Sequence, residues 1–324
     1  MALITNTLTR YDMSRAVRED LSNMIYNIAP TECPVMSNAG RDTAKQTFFE
    51  WQTDGLAAPV NNPVLEGDDV VGTTDLRAPT NRVNNYTQIN RSIITVSGTL
   101  EAVDKAGMRS YLAYELAKAA SEQKRNMETA VTGFQIGVAG SDTVARKTAG
   151  LGAWIITSYS PGATGAAPVM SGGAGNGTPG TAAVPGTQAA FTEAMFKTAQ
   201  QNIWTQGGDP KVAFMNAKQK TVFSTFAGIA TRYRDVPAGK QAQIIGASDS
   251  YVGDFGVTSI VPDRFMPINN VYMGDTEYLS LAYLRPFRTE VMAKTADGEK
   301  RMIIVEWGLR MKSQYSWANI ADLS

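Results

Sequence analysis

Hydrophobic and polar positions in the first third of the chain predict a helix followed by a long hairpin. Apolar residues recur at helical spacing from Tyr11 to Tyr26, and Ala29-Pro30 ends the helix, because a residue before proline is disfavoured in the α conformation. Thr47–Thr53 and Tyr86–Val96 have the patterns of two strands. The stretch between them is rich in Gly, Pro, Asn and Asp, so residues 47–96 are predicted to form one two-stranded hairpin with a polar tip.

A long amphipathic helix is predicted next, from Leu100 to Phe134. Thr99 is placed to cap it, and apolar residues recur along it at three- and four-residue steps. Opposite charges four positions apart are typical of a solvated helix face, and the helix has three such pairs: Glu101–Lys105, Lys118–Glu122 and Lys124–Glu128. At ~1.5 Å per residue the helix would be about 50 Å long, which indicates a spine along an elongated subunit.

Residues 158–190 form an insert of low complexity. Its 33 residues include eight Gly, eight Ala and four Pro, and none is charged. Such a segment cannot fold by burying its own surface, so a flexible surface loop is predicted. We expect it to become ordered only through contacts with neighbouring molecules.

The last third of the chain alternates helices and strands, which predicts an α+β fold. Two helices are predicted, at Thr192–Trp204 and Ala217–Phe226. Shorter apolar runs predict strands at Lys211–Asn216, Gln243–Ile245, Val257–Val261, Val271–Met273 and Tyr278–Leu284.

A closing hairpin is predicted around Asp297-Gly298, a dipeptide typical of tight turns. Its strands are Glu290–Lys294 and Arg301–Ser313. Alternation in the second strand predicts that it is half-buried. Its apolar face has Ile303, Val305, Trp307, Leu309 and Met311, and its polar face has Glu306, Arg310 and Lys312.

The composition excludes several classes of function. The chain has 30 Lys+Arg, 30 Asp+Glu, no His and a single cysteine, Cys33. Histidine-based acid–base catalysis, histidine-ligated metals, cysteine-clustered zinc and an intramolecular disulfide are therefore excluded. The residues supply no convergent acid, base and nucleophile, so no enzyme activity, catalytic residue, metal or other cofactor is predicted. A net charge of zero also argues against tight binding of nucleic acid through its phosphates.

Two charged groups are candidates for contacts between molecules. The first group is acidic and lies at the predicted hairpin tip: Glu66, Asp68 and Asp69. Three residues provide too few oxygen ligands for a calcium-type loop. The tip is therefore either solvated or in contact with cations on a partner. The second group is basic and consists of Arg232, Arg234 and Lys240, on a predicted loop that contains Tyr, Gly and Pro. This loop is either solvated or in contact with other copies at a symmetry axis.

The order of these parts resembles the major capsid proteins of tailed bacteriophages with the HK97-type fold, in particular the SU10-like branch. The resemblance runs from about Tyr11 to Leu323, and its specificity lies in the order and spacing of short stretches. They are Glu50-Trp51-Gln52-Thr53-Asp54, Leu65-Glu66-Gly67-Asp68-Asp69, Asn85-Tyr86-Thr87-Gln88-Ile89, Val96-Ser97-Gly98-Thr99, Lys124-Arg125-Asn126-Met127-Glu128, Ala149-Gly150-Leu151 with Trp154-Ile155, Asp254-Phe255-Gly256, Pro262-Asp263-Arg264-Phe265, Leu284-Arg285-Pro286-Phe287 and Ala293-Lys294-Thr295.

The resemblance implies a division of the chain into six parts. They are an N-terminal arm (1–46), an extended loop (47–96), a peripheral domain with the spine helix (97–157), the insert (158–190), an axial domain (191–273) and return strands of the peripheral domain (274–324). The insert departs from the family pattern, because it is longer than the pattern needs. Residues Arg232 to Lys240 would lie near the capsomer centre.

The resemblance also implies a structural function. Copies would form pentamers and hexamers of an icosahedral shell around double-stranded DNA, without sequence-specific binding and without a membrane. The partners would be other copies, a decoration or cement protein, and the portal and scaffold during assembly. The protein would be made in the host cytoplasm and reside in the virion. Aromatic residues of the first hairpin strand would gain partners only in the shell: Phe48, Phe49 and Trp51.

Two other functions compete with this one. Another phage structural protein, such as a tail-tube or decoration shell subunit, would share the composition but would assemble into tubes or onto a shell. A small-molecule enzyme is the other class, and turnover by a soluble monomer would be its signature.

Overall fold

The computed structural model describes residues 31–56, 58–59, 61, 63, 65–67, 80–105, 107–173, 175–226, 249–294 and 296–324. The predicted helix Tyr11–Tyr26 and strand Gln243–Ile245 lie outside them. The helices in the described ranges are α1 (Pro34–Asn38), α2 (Gly98–Ala102), α3 (Tyr111–Thr132), α4 (Leu151–Trp154), α5 (Glu193–Thr205) and α6 (Ala217–Phe223). The strands are β1 (Gly40–Thr43), β2 (Phe48–Thr53), β3 (Asn81–Tyr86), β4 (Gln88–Ser97), β5 (Tyr159–Ser160), β6 (Val169–Met170), β7 (Pro179–Thr181), β8 (Val212–Met215), β9 (Ser250–Gly253), β10 (Gly256–Pro262), β11 (Val271–Gly274), β12 (Leu279–Val291), β13 (Gly298–Met311) and β14 (Trp317–Ile320).

A four-stranded sheet in the order β1-β12-β13-β4 forms one half of the structure. β12 and β13 are its antiparallel centre, β4 lies antiparallel to β13, and β1 lies parallel to β12. The predicted closing hairpin is confirmed, although its first strand is longer than predicted and absorbs the strand predicted at Tyr278–Leu284. Helix α3 packs on this sheet, where Gln123 Nε2 donates to Ser92 Oγ.

A six-stranded sheet in the order β5-β14-β11-β8-β10-β9 forms the other half. Helix α5 covers one face, because Phe196, Ala199 and Ile203 recur at helical spacing and pack on the sheet. The opposite face contributes Phe214 and Tyr272 to a second core shared with α3 and the four-stranded sheet. The segment 274–324 contributes to both sheets, since β12 and β13 lie in one and β14 in the other.

The predicted spine helix is shorter than its apolar pattern suggested. The chain forms two helices, α2 and α3, because Ser97 caps the first and Ser110 caps the second. Gly107 lies between them at φ +77°, a backbone conformation that favours glycine and interrupts a helix. The 22 residues of α3 span about 33 Å, and the prediction of one uninterrupted 50 Å helix from Leu100 was wrong.

The predicted hairpin has a different second strand. β2 pairs with β3, from Phe48 opposite Tyr86 to Thr53 opposite Asn81. The predicted strand Tyr86–Val96 leaves the hairpin at Thr87 and continues as β4, which pairs with β13 instead. All ten residues of β4 pair with β13 in the four-stranded sheet, so the hairpin is rooted directly in that sheet.

Residues 303–309 of strand β13 are buried on both faces rather than one. Its predicted apolar face is confirmed, since all five of those side chains are buried. The opposite face is also covered, because Phe49 of β2 packs against Gly308 and its neighbours. The prediction of a half-buried strand was therefore wrong at Glu306 of the polar face: this residue is buried and forms ion pairs with two arginines.

Trp307→Ala should destabilise the subunit by about 3–5 kcal/mol, because Trp307 is fully buried in the core beneath α3 and truncation leaves a cavity. Chemical denaturation followed by tryptophan fluorescence and circular dichroism measures the loss. Trp204→Ala is the matched control, since Trp204 is 58% exposed, and it should cost far less. Equal losses in the two variants would show that this face of β13 is not core.

The root of the extended hairpin as candidate assembly site

The extended hairpin, defined here as β2, β3 and the residues between them, leaves the four-stranded sheet at one point. Thr87 lies between β3 and β4, and its backbone N–H donates to the carbonyl of Thr47 at 2.8 Å. This hydrogen bond closes the base of the hairpin where the chain changes from one sheet to the other. We call the surrounding residues the hairpin root: Phe49, Trp51, Asn85, Thr87, Thr148, Trp154 and Glu306.

A buried amide fixes the hairpin root. Asn85 is fully buried, and its Nδ2 donates to Thr148 Oγ1 at 3.0 Å and to the carbonyl of Leu309 at 2.6 Å. Its Oδ1 accepts from the backbone N–H of Ala149 at 2.9 Å. Thr148 Oγ1 also accepts from the backbone N–H of Leu309 at 2.9 Å. One side chain therefore links β3, the segment before α4, and β13, with each of these buried polar groups satisfied.

A buried carboxylate fixes the turn beside this amide. Glu306 accepts from Thr87 Oγ1 at 2.9 Å, from Arg146 Nη2 at 2.6 Å and from Arg285 Nε at 2.7 Å. Burial of a charge is costly unless it is paired and hydrogen-bonded, and here two guanidinium groups and a hydroxyl supply the partners. The carboxylate therefore holds Thr87 in place at the point where the hairpin departs.

The three aromatic residues of β2 divide between the two faces of the hairpin. Phe49 is 5% exposed and packs with Ala44 and Ala282, while the guanidinium of Arg310 lies 5.5 Å from its ring centre. Trp51 is half-buried, and its ring centre lies 5.5 Å from that of Trp154. The expectation that these two side chains gain partners only in a shell was therefore wrong, because the same chain already packs them.

Phe48 differs from its neighbours. It is 38% exposed, and its ring centre lies 5.2 Å from that of its cross-strand partner Tyr86. Side chains alternate between the two faces of a strand, so burial of Phe49 turns Phe48 outward.

The insert is attached to the hairpin, contrary to the prediction of a flexible loop. Gly177 forms an isolated parallel bridge with Val83 of β3, and its N–H donates to the carbonyl of Arg82 at 2.8 Å. The side chain of Asn176 accepts from the N–H of Arg82 at 3.0 Å. Glycine suits this position, because Gly177 has φ +86° and lies close to the backbone of Gly172.

A residue near the end of the chain organises the rest of the insert. Asp322 Oδ2 accepts from the backbone N–H groups of Gly162 at 3.0 Å and Gly186 at 2.8 Å. Its own carbonyl accepts from Ala189 at 2.8 Å. These bonds add to the burial of Met170 in the main core, which explains how a segment without charged side chains folds within one subunit.

Of the six charged residues predicted as contact candidates, the structure describes Glu66. Glu66 is exposed in a turn with Gly67, whose φ is +82°. The other five lie outside the described residues, and they are Asp68, Asp69, Arg232, Arg234 and Lys240. Sequence reasoning missed Asn85 and Glu306 as site residues. A signal for Glu306 existed, since it is an acidic residue between Val305 and Trp307 in an apolar run.

The described residues contain no cluster of three or more acidic or cysteine side chains that could hold a metal ion. Over the same ranges, the helices include none long and apolar enough to cross a membrane.

A family model of the SU10 major capsid protein matches residues 3–324. The chain belongs to this family. A major capsid protein of Escherichia phage Phieco32 is 28% identical over 327 residues, covering 91% of each chain. Among solved structures, the Cyanophage A-1(L) capsid asymmetric unit superposes with a TM-score of 0.73 at 16% identity, covering 98% of this chain and 99% of that one. The capsid of a native GTA particle gives a TM-score of 0.63 at 12% identity, covering 99% and 100%.

The family and the superpositions confirm two predictions. The fold is the α+β, HK97-type fold of phage capsid proteins. The protein is a subunit of a phage capsid shell and therefore a component of the virion, and the tail-tube and decoration alternatives are not favoured. Family membership also makes it a structural protein rather than a member of an enzyme family.

Asn85→Ala should destabilise the capsid subunit by about 2–5 kcal/mol. The substitution removes the hydrogen bonds to the carbonyl of Leu309, the N–H of Ala149 and the hydroxyl of Thr148 in the interior. Each buried polar group left without a partner lowers the free energy of unfolding by about 1–3 kcal/mol. Urea denaturation of the unassembled subunit measures the effect. Asn126→Ala, on the exposed face of α3, is the control and should change stability by less than about 0.5 kcal/mol.

The backbone N–H groups of Ala166, Gly177, Val184 and Thr187 should be protected from hydrogen exchange in the free subunit. Each donates to a carbonyl of the same chain, at distances of 2.7 to 3.0 Å. Peptide-resolved hydrogen exchange of unassembled protein checks this. Exchange at the rate of an unstructured peptide, with protection only in shells, would restore the view that neighbours order the insert.

Proposed function

We propose that copies of this chain form pentamers and hexamers that tile an icosahedral shell around double-stranded DNA, with each extended hairpin lying across a neighbouring subunit. The observation that carries the proposal is the contrast between the two ends of the hairpin. Its root is fixed to its own subunit by buried hydrogen bonds, whereas Leu56 and Leu65 toward its tip are almost fully exposed. Large apolar side chains in water favour a partner surface.

The strand edges support the same arrangement. β2 pairs with β3 on one side, and among the described residues no strand pairs with its other edge. A two-stranded hairpin is marginally stable in water, and an open edge supplies unpaired backbone groups to a second chain. Phe48 lies on the outward face of this edge strand. A neighbouring copy that packs there would satisfy both the edge and the side chain.

Many such contacts would make the shell strong although each is modest. A subunit held by several neighbours at once dissociates only when all its contacts break together. Glu66 is exposed, and together with its sequence neighbours Asp68 and Asp69 it would meet cations of the next subunit. Arg232, Arg234 and Lys240 would lie near the capsomer centre within the axial domain, residues 191–273.

The charge balance suits a container for DNA. With 30 cationic and 30 anionic side chains the chain has no net charge, so it would surround DNA without binding the phosphates tightly. Strong binding would oppose packaging and ejection. Synthesis in the host cytoplasm, a scaffold and portal during assembly, and a decoration or cement protein on the finished shell complete the proposal.

Electron microscopy of the purified protein tests this function. Closed shells with five-fold and six-fold clusters are the expected result, with density for the hairpin crossing a subunit boundary. Tubes would indicate a tail-type assembly, and particles that remain monomeric under all conditions of salt and crowding would contradict self-assembly.

Phe48→Ala should reduce the yield and thermal stability of shells while changing the stability of the free subunit by less than about 1 kcal/mol, because Phe48 is the outward residue. The adjacent variant Phe49→Ala is the matched control, and it should cost the free subunit about 3–5 kcal/mol, because Phe49 is buried. Calorimetry of subunits and of shells separates the two effects. Shells unaffected by Phe48→Ala would exclude this face as an interface.

A further inference from the structure

The short helix α1 is held by a carboxyl group from a distant part of the chain. The N-terminal turn of a helix has unpaired backbone N–H groups, and the residue at the cap position, Cys33, provides no side-chain hydrogen bond to them. Glu128 of α3 provides it instead. Its Oε1 accepts from the N–H of Val35 at 2.7 Å, and its Oε2 accepts from the N–H of Met36 at 3.0 Å.

This contact is in the interior. Glu128 and Val35 are fully buried, and Val35 belongs to the main core together with Met127. The prediction of a solvated pair between Lys124 and Glu128 was therefore wrong. The chain uses an acidic residue inside the protein to attach residues 34–38 to the spine helix.

A second buried carboxyl group lies beside the first. Asp263 is 1% exposed, and its Oδ1 accepts from the N–H of Phe265 at 2.9 Å. Its Oδ2 is buried, and no described group donates to it. Asp263 is within hydrogen-bonding reach of Glu128. Two carboxylates repel each other and cannot share a hydrogen bond unless one of them is protonated, so a proton between them would satisfy Oδ2.

The charged and titratable groups around the pair do not neutralise it. Neither carboxyl forms an ion pair with any cation among the described residues. Lys124 and Arg125 lie on the preceding turn of α3, where Lys124 is exposed and Arg125 lies over the ring of Phe265, 5.4 Å from its centre. Cys33 directly precedes α1, and burial, with the charges of Glu128 and Asp263, raises the pKa of its thiol to about 11, so it remains uncharged.

We propose that Glu128 and Asp263 share one proton, and that this proton locks α1 to the spine helix. We call this arrangement, made of Val35, Met36, Glu128 and Asp263, the arm latch. With the proton present, the pair has one negative charge and every polar atom has a partner. With the proton removed, two negative charges face each other in the interior, and the arm latch opens so that water can reach them.

The electrostatics agree with this geometry. Burial raises the pKa of Glu128 to about 7, and the charge of Asp263 adds to the effect, while the two backbone N–H groups oppose it. Burial also raises the pKa of Asp263. The closed latch therefore binds a proton more tightly than an open one, in which a glutamate has its ordinary pKa of 4.5.

The direction of the pH dependence follows from this linkage. Because the pKa is higher in the closed state, closure is favoured fully below pH 4.5 and is lost as the pH rises through about 7. The equilibrium constant for opening should increase by at most about tenfold per pH unit across this window, and it should level off above it, since one proton is involved.

Hydrogen exchange of the full-length, unassembled protein between pH 5 and pH 8 tests the arm latch. After correction for the intrinsic exchange rate at each pH, protection of peptides covering residues 31–39 should fall by about 10- to 100-fold over this range. Asp263→Asn removes the shared proton, while its amide still donates to Glu128. In this variant the change in protection between pH 5 and pH 8 should be clearly smaller, because the charge of Asp263 is gone and only burial still raises the pKa of Glu128.

Two further variants complete the test. Glu122→Gln removes an exposed acidic group from the same helix and should retain the pH dependence of the natural protein. Glu128→Gln, whose amide donates to Asp263, should lose it, and it serves as the second variant where Asp263→Asn does not fold. A natural protein whose corrected protection is independent of pH, or a folded variant with the natural pH dependence, would overturn the proposal. Neither result depends on shell assembly.

Discussion

The buried side chain of Asn85 constrains where the extended hairpin can lie, because a primary amide in the interior must have a partner for every donor and acceptor. Its partners come from two other segments of the chain, the residues before α4 and strand β13, and together they fix the position of β3. Burial of Phe49, exposure of Phe48 and the attachment of the insert all follow from the position of this strand. A hairpin that must reach another molecule gains from such a fixed root, since an ordered arm loses less entropy on binding.

The sequence correctly predicted the elements whose burial can be inferred from their own pattern of apolar residues. The alternation in Ile303–Met311 identified a buried strand, and the turn at Asp297-Gly298 identified its hairpin. The helical spacing of apolar residues between Leu100 and Phe134 predicted an amphipathic helix, and Leu112 and Met127 lie on the buried face of α3. Local periodicity is sufficient to identify these elements, because their apolar face is buried in the core whichever segment packs against it.

Other features depended on contacts across the chain. The pattern of β4 fits a hairpin with β2 as well as a sheet with β13, and only tertiary packing decides between them. Glu128 and Glu306 look like surface residues, since their sequence neighbourhoods do not contain the groups that satisfy them. Several stretches on which the family resemblance rested meet in space: those of Trp51, Asn85 and Trp154 at the hairpin root, and those of Glu128 and Asp263 at the arm latch.

The place of β14 within the six-stranded sheet has a consequence during protein synthesis. Residues 317–320 form the strand between β5 and β11, so the last of the six strands to leave the ribosome occupies an internal position. A nascent chain that stalls before residue 317 lacks the strand that pairs with both β5 and β11, and it also lacks Asp322, which organises the insert. Truncated products would therefore expose an unfilled sheet and enter degradation by cellular proteases rather than a growing particle.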